Sequence, residues 1–130
     1  MRIVVDASVI MAVLLNEVMK PEIIQATKGV LIVSPASLPW EIGNALSANV
    51  KRKRISPEQA IQAIQDFQKI DIRLVDIDLE RAIRLSCEHN IYAYDAYLLA
   101  CASGLGLPLF CLDENMIRIA TRIGIKTMEV

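Results

Sequence analysis

At 130 residues the chain has the size of one ordinary domain and is too short for two independent hydrophobic cores, so it reads as a single domain over residues 1–130. Its composition, 54% hydrophobic and 22% charged, excludes a disordered chain, whose residues could not offset ordering entropy by burial. The formal net charge of -1 excludes a global positive field for nucleic acid, so any such contact must rest on local patches.

In chain order, the apolar run from Arg2 to Val5 predicts a first strand, closed by Asp6. The longer apolar stretch from Ile3 to Leu15 follows an arginine, as an export signal would. Asp6 interrupts it, however, and no clean small-residue cleavage site follows. Helical spacing then predicts helices over Ser8 to Asn16 and Pro21 to Thr27, before a second strand from Val30 to Val33. Two more helices are expected over Pro39 to Arg52 and Pro57 to Lys69, and a third strand over Ile72 to Val75. In that strand Ile72 and Leu74 alternate with Asp71, Arg73 and Asp76, the pattern of a strand with one wet face near a sheet edge. The first, second and fourth strands read instead as fully buried.

Leu79 to Glu88 and Asp95 to Ala102 are the next helices. A fourth strand follows over Leu109 to Leu112, then a helix over Glu114 to Ile123 and a strand over Lys126 to Val130. Ala96 to Leu112 carries no charge, but Gly104, Gly106 and Pro108 break it into a helix, a turn and a strand rather than a membrane span. A cytoplasmic protein with no membrane partner is expected. Strand and helix alternate throughout, which argues for a parallel sheet covered by helices on both faces. Cys87, Cys101 and Cys111 are odd in number and lack paired ligand spacing, so they read as buried structural thiols. His89, the only histidine, follows a helix and is expected at the surface as a partner of its dipole.

Of the fifteen acids, most lie on polar helix faces or in loops. Four are embedded among apolar residues: Asp6 in Val4-Val5-Asp6-Ala7, Glu41 in Pro39-Trp40-Glu41-Ile42, Asp95 in Ala93-Tyr94-Asp95-Ala96, and Asp113 in Cys111-Leu112-Asp113-Glu114. A carboxylate in such company is costly unless compensated. Asp6 and Asp113 follow buried parallel strands, and Glu41 and Asp95 open helices on the same side. All four are therefore expected at the C-terminal edge of the sheet, where open α/β folds bind ligands.

Taken singly, an acid at a helix start is better read as an N-cap or a dipole partner. Ser, Thr or Asn could cap as well, however, and four converging carboxylates repel one another. A divalent cation removes that conflict. Hard oxygen donors suit Mg2+ or Mn2+, with phosphate-bearing substrates as the natural companions. Ser8, two residues beyond Asp6, and Asn44, one turn from Glu41, add neutral oxygens nearby, while Ile42, Ala45 and Leu46 form the core stripe of that helix.

These pieces occur in one order over nearly the whole chain: the strand ending in Asp6-Ala7-Ser8, the helix opening Pro39-Trp40-Glu41-Ile42-Gly43-Asn44, the Tyr94-Asp95-Ala96-Tyr97 helix start and the strand end Leu109-Phe110-Cys111-Leu112-Asp113. In that order and spacing the chain resembles PIN-domain proteins of the VapC-type toxin group. The resemblance implies a PIN-like three-layer α/β/α sandwich with a parallel sheet of about five strands. It also implies a Mg2+- or Mn2+-dependent endoribonuclease cleaving RNA phosphodiester bonds as the toxin of a toxin-antitoxin pair, a homodimer, and a cognate antitoxin that covers the site. Asp6, Glu41, Asp95 and Asp113 take the family's catalytic metal-site positions, with Ser8, Asn44 and Glu114 in support. Where the family often carries Thr or Ser two residues before its last aspartate, this chain has Cys111. Glu114 could substitute for or assist Asp113.

The Lys51-Arg52-Lys53-Arg54 run could hold phosphates, but as a cationic helix end it reads better as a solvated partner of the dipole. Arg118 and Arg122 share a helix face and either contact substrate or only water. Trp40, Tyr92, Tyr94 and Tyr97 could stack on bases, yet their apolar neighbours favour core or subunit packing. Two rival readings use the same acids. A phospho-accepting receiver would need Asp76 at the end of the third strand plus a lysine directly after the fourth, and that lysine is missing. A noncatalytic binding module would receive a basic peptide in the acidic cleft.

Overall fold

The structure, a computed structural model, describes residues Met1–Val130. Strands β1 (Arg2–Val5), β2 (Leu31–Pro35), β3 (Ile72–Val75), β4 (Leu109–Phe110) and β5 (Thr127–Met128) form one sheet in the order β3-β2-β1-β4-β5. Every pairing is parallel. The helices are α1 (Ala7–Leu14), α2 (Lys20–Thr27), α3 (Leu38–Lys51), α4 (Pro57–Phe67), α5 (Leu79–His89), α6 (Ala93–Leu105) and α7 (Glu114–Arg122). None is long and apolar enough to cross a membrane. The expected three-layer α/β/α sandwich with a five-strand parallel sheet is present.

Side-chain alternation in the central strands builds the layers. In β1, Val4 joins Leu109 of β4 and the buried residues of α5, α6 and α7 in one core. Ile3 and Val5 face the other way, joining Phe110 and the buried residues of α1, α3 and α4 in a second core. Both faces of β1 are thus sealed, which is why it reads as an unbroken apolar run.

Chain order places β2 and β3 on one side of β1 and β4 and β5 on the other. Successive crossovers therefore leave β1 in opposite directions, and the crevice beyond the C-terminal ends of β1 and β4 is the switch point of the sheet. Ser34, fully buried in β2, donates its hydroxyl to the carbonyl of Val5 at 2.6 Å, tying down the backbone just before Asp6.

Several expectations are corrected. β2 begins and ends later than Val30 to Val33, and Leu31 at its start is 60% exposed, where its β1 partner is the exposed Arg2. Pro35 is tolerated because it lies beyond the last β1 partner in the register, where no ladder N–H is needed. β3 is an edge strand as expected, but Leu74 is exposed along with Arg73, since no helix covers that part of the edge. β4 stops at Phe110 and β5 spans only Thr127–Met128. α6 starts at Ala93 and runs to Leu105, where Gly106 closes it at φ 64, a left-handed conformation cheap only for glycine.

Candidate functional site

Asp6, Glu41, Asp95 and Asp113 are brought to the same edge by four elements. Asp6 directly follows β1, Glu41 lies in the first turn of α3, Asp95 in the first turn of α6, and Asp113 caps α7. Their mutual influence shows the convergence. The charge of Asp6 acts on Glu41 and on Asp95, and Asp113 acts on Asp6 and Asp95. Asp95 acts on Glu41 as well, so Asp6 and Asp95 each couple with the other three.

Burial is the main force on three of them. It pushes Glu41 up to about 7, reinforced by Asp6 and Asp95 and only partly opposed by a hydrogen bond from Ser37. Burial also raises Asp6, against the hydrogen bond that the Ser8 hydroxyl donates to its Oδ2 at 2.6 Å. Asp95 is raised by burial and then by Asp6 and Asp113. Each shift says that the ionised form lacks compensation from the protein alone.

The capping explanation separates the four. Asp113 is exposed and its Oδ1 accepts the backbone N–H of Met116 at 3.1 Å, an ordinary N-cap. Asp6 stands at the N-cap position of α1 but makes no side-chain cap bond. Asp95 is not a cap either, because α6 begins two residues earlier than the sequence pattern suggested.

Among the supporting residues, Ser8 is in place beside Asp6. Asn44 is exposed one turn from Glu41, with no hydrogen bond to it, and Glu114 is exposed in the first turn of α7. The Cys111 thiol points at the backbone carbonyl of Asp113, 3.8 Å away, and burial with the charge of Asp6 pushes it up to about 12. It supplies neither a hydroxyl nor a thiolate. Ser37, unforeseen in the sequence, donates to Glu41 Oε2 at 3.4 Å. Its position one helical turn before Glu41 was the available signal.

Other expectations hold only in part. Cys87 is exposed, whereas Cys101 and Cys111 are buried. His89 ends α5 as expected, but its side chain is only 10% exposed and its buried Nε2 has no hydrogen-bond partner. Of the aromatics expected in core or subunit packing, Trp40 is 72% exposed, and Tyr92 and Tyr94 are exposed too, so none of these three belongs to the core of the chain. Tyr97 packs on the α5–α6–α7 core and meets Tyr94 edge-on at 5.8 Å between ring centroids. Lys51 to Arg54 are all exposed at the far end of α3, roughly 15 Å along the axis from Glu41 at 1.5 Å per residue. Arg118 and Arg122 are exposed, the former bonded to Asn115.

As a donor set the four acids offer oxygen only, the chemistry of a hard divalent cation, and the raised affinity of Asp6, Glu41 and Asp95 for protons marks a place where positive charge is favoured. No three of them stand close enough to grip one ion as placed, a spacing expected of anions that repel one another. The residues fit such an ion in type and location.

The sequence profile of the PIN domain family matches residues 3–122. The fold is similar to the crystal structure of PAE2754 from Pyrobaculum aerophilum, with a TM-score of 0.73 and 20% identity over 97% of this chain and 83% of that one. It is also similar to a chain in the crystal structure of VapBC2 from Rickettsia felis bound to a DNA fragment from their promoter, with a TM-score of 0.67 and 12% identity over 98% of each chain. At those identities the likeness is one of fold. No curated protein matches the chain in sequence.

Proposed function

The chain belongs to the PIN domain family, and on that premise we propose that it is a metal-dependent endoribonuclease, the toxin of a toxin-antitoxin pair. The observation that carries the reading is the group of acids around Asp6, whose burial and repulsion no protein cation relieves. In this reading Asp6, Glu41, Asp95 and Asp113 hold Mg2+ or Mn2+. When bound, the ion would supply charge neutralisation for the phosphodiester and a more acidic water for in-line attack.

The chain's own residues do the positioning. Ser8 fixes the rotation of the Asp6 carboxylate, Ser37 restrains Glu41, and the α7 cap holds Asp113 at the rim. The near-sealed β1 beneath them gives the site a rigid floor. Homodimerisation and a cognate antitoxin over the acids belong to the same proposal, supported by the fold likeness to a chain of the VapBC2 assembly. A cytoplasmic location goes with it.

A second reading is favoured by one observation, that no three acids converge to chelating distance. It is a noncatalytic module whose acidic cleft receives a basic peptide. The deciding experiment is purified protein against an RNA panel with Mn2+, with and without EDTA, beside Asp95→Asn. Cleavage that needs both the metal and Asp95 supports the nuclease. No metal-dependent cleavage of any RNA transfers the site to the second reading.

A further inference from the structure

Trp40 is the only tryptophan of the chain. Its neighbours Leu38 and Ile42 are buried in the core, so α3 turns Trp40 outward beside Glu41, with most of its indole in water. A large apolar surface left exposed at a functional edge marks a contact with something else.

The indole walls a cavity of about 420 Å³ whose lining includes Tyr97, Ile77, Leu79, Ser37 and Asp76. That volume lies within the roughly 300–1,000 Å³ of sites that take small organic groups. The cavity borders the acids through Ser37, which lines it and donates a hydrogen bond to Glu41. A group held here is therefore close to whatever Glu41 holds.

Aromatic and aliphatic walls with a carboxylate among them match a flat heterocycle that stacks and presents donors at its edge. Among RNA bases, guanine alone offers two parallel donors, its N1–H and N2 amino group, to the two oxygens of one carboxylate. Adenine and cytosine offer only the amino group, and uracil a single N–H between two carbonyls that a carboxylate repels. Asp76 makes no hydrogen bond or ion pair within the protein that would occupy it. We propose that this cavity is a guanine-binding subsite for a nucleotide flanking the scissile phosphate, with Trp40 as stacking platform and Asp76 as reader of the donor edge. The proposal rests on the ribonuclease reading of the neighbouring acids.

Trp40 is its own reporter. Guanosine, adenosine, cytidine and uridine are titrated into the intact metal-free protein in EDTA, where neutral nucleosides avoid repulsion by the acids, and Trp40 emission is followed. Guanosine should quench saturably, with uridine at least about tenfold weaker, because a site built for two donors rejects a base that lacks them. In Asp76→Asn, folded by circular dichroism, the preference should shrink to under about twofold, since an amide matches only one of the donors. No saturable quenching, or equal quenching by all four nucleosides, overturns the proposal. Emission that changes with protein concentration and ignores nucleosides also overturns it, and assigns the cavity to a second copy of the chain. Mn2+-dependent RNA cleavage is measured separately. Cleavage without guanosine binding defeats the subsite alone, and guanosine binding without cleavage defeats the nuclease reading alone.

Discussion

The neighbouring strands β1 and β4 both lead through a short connection into a helix that starts on an aspartate, yet the two aspartates are in opposite states. Asp113 is exposed, and its carboxylate closes onto the N–H of Met116. Asp6 is half-buried, makes no side-chain cap bond and accepts the hydroxyl of Ser8, with its affinity for protons raised by burial. Place at a helix start therefore does not distinguish an acid kept for capping from one kept for its charge. What distinguishes them is whether the protein satisfies the carboxylate oxygens. By that measure Asp6, Glu41 and Asp95 form the demanding part of the group, and Asp113 stands capped at its rim.

The sharpest way to break this comparison is Asp6→Asn, which keeps size and removes charge. Mn2+-dependent RNA cleavage should fall by more than about 100-fold, beyond the range typical for groups that only support a ligand, with the fold retained by circular dichroism. Turnover within a few-fold of wild type would remove Asp6 from the centre of the site. Ser8→Ala should cost about tenfold in kcat/KM, because it frees the carboxylate to rotate without removing it. An unchanged value would mean that the 2.6 Å bond positions nothing.

Thermal melts in EDTA sharpen the contrast from the side of stability. Glu41 is raised from 4.5 to about 7 in the fold, so the folded chain binds a proton that the unfolded chain releases. Its contribution is fully present below about pH 4.5 and is lost as pH rises through about 7. The raised Asp6 and Asp95 act in the same direction. The Tm of metal-free protein should therefore drop between pH 5 and pH 8, Glu41→Gln should flatten the drop, and Mg2+ or Mn2+ should recover Tm at pH 8 by binding only the folded chain. A Tm independent of pH in EDTA would show that the acids are already compensated.

The smallest effect concerns the cap. Asp113→Ala should destabilise the protein by about 1 kcal/mol in urea unfolding, whereas Asp113→Asn should be nearly neutral because Asn caps equally well. Equal losses in both variants would mean that the charge, not the cap, stabilises α7.

Much of this arrangement is legible in the chain. Arg2 to Val5 and Ile72 to Val75 are strands with those bounds, and the other elements shift by up to three residues at their ends, where local pattern competes with tertiary contacts. The four acids stand out because each interrupts apolar residues, and the edge they share follows from parallel alternation. Misreadings occur where burial is decided by distant neighbours. Cys87 lies on the open side of α5, and His89 is covered although it closes a helix, while Trp40 and Tyr94, whose apolar neighbours fit core and subunit packing alike, face outward. Ser37 was missed because its partner Glu41 gives it meaning only once α3 is known to start at Leu38.

By itself the sequence determines that strands and helices alternate, which faces of β1 and β4 are apolar, and that four acids follow or open those elements. These are properties of local periodicity, which nearest neighbours along the chain can specify. The tertiary structure alone decides the order β3-β2-β1-β4-β5, which places β1 in the middle and brings Asp6 and Asp95 each within charge reach of the other three acids. It also decides which helix-start acid is capped and which is left uncapped and buried, because hydrogen bonding and burial at that edge depend on how α1, α3, α6 and α7 pack around the crevice, not on the residues beside each acid in the chain.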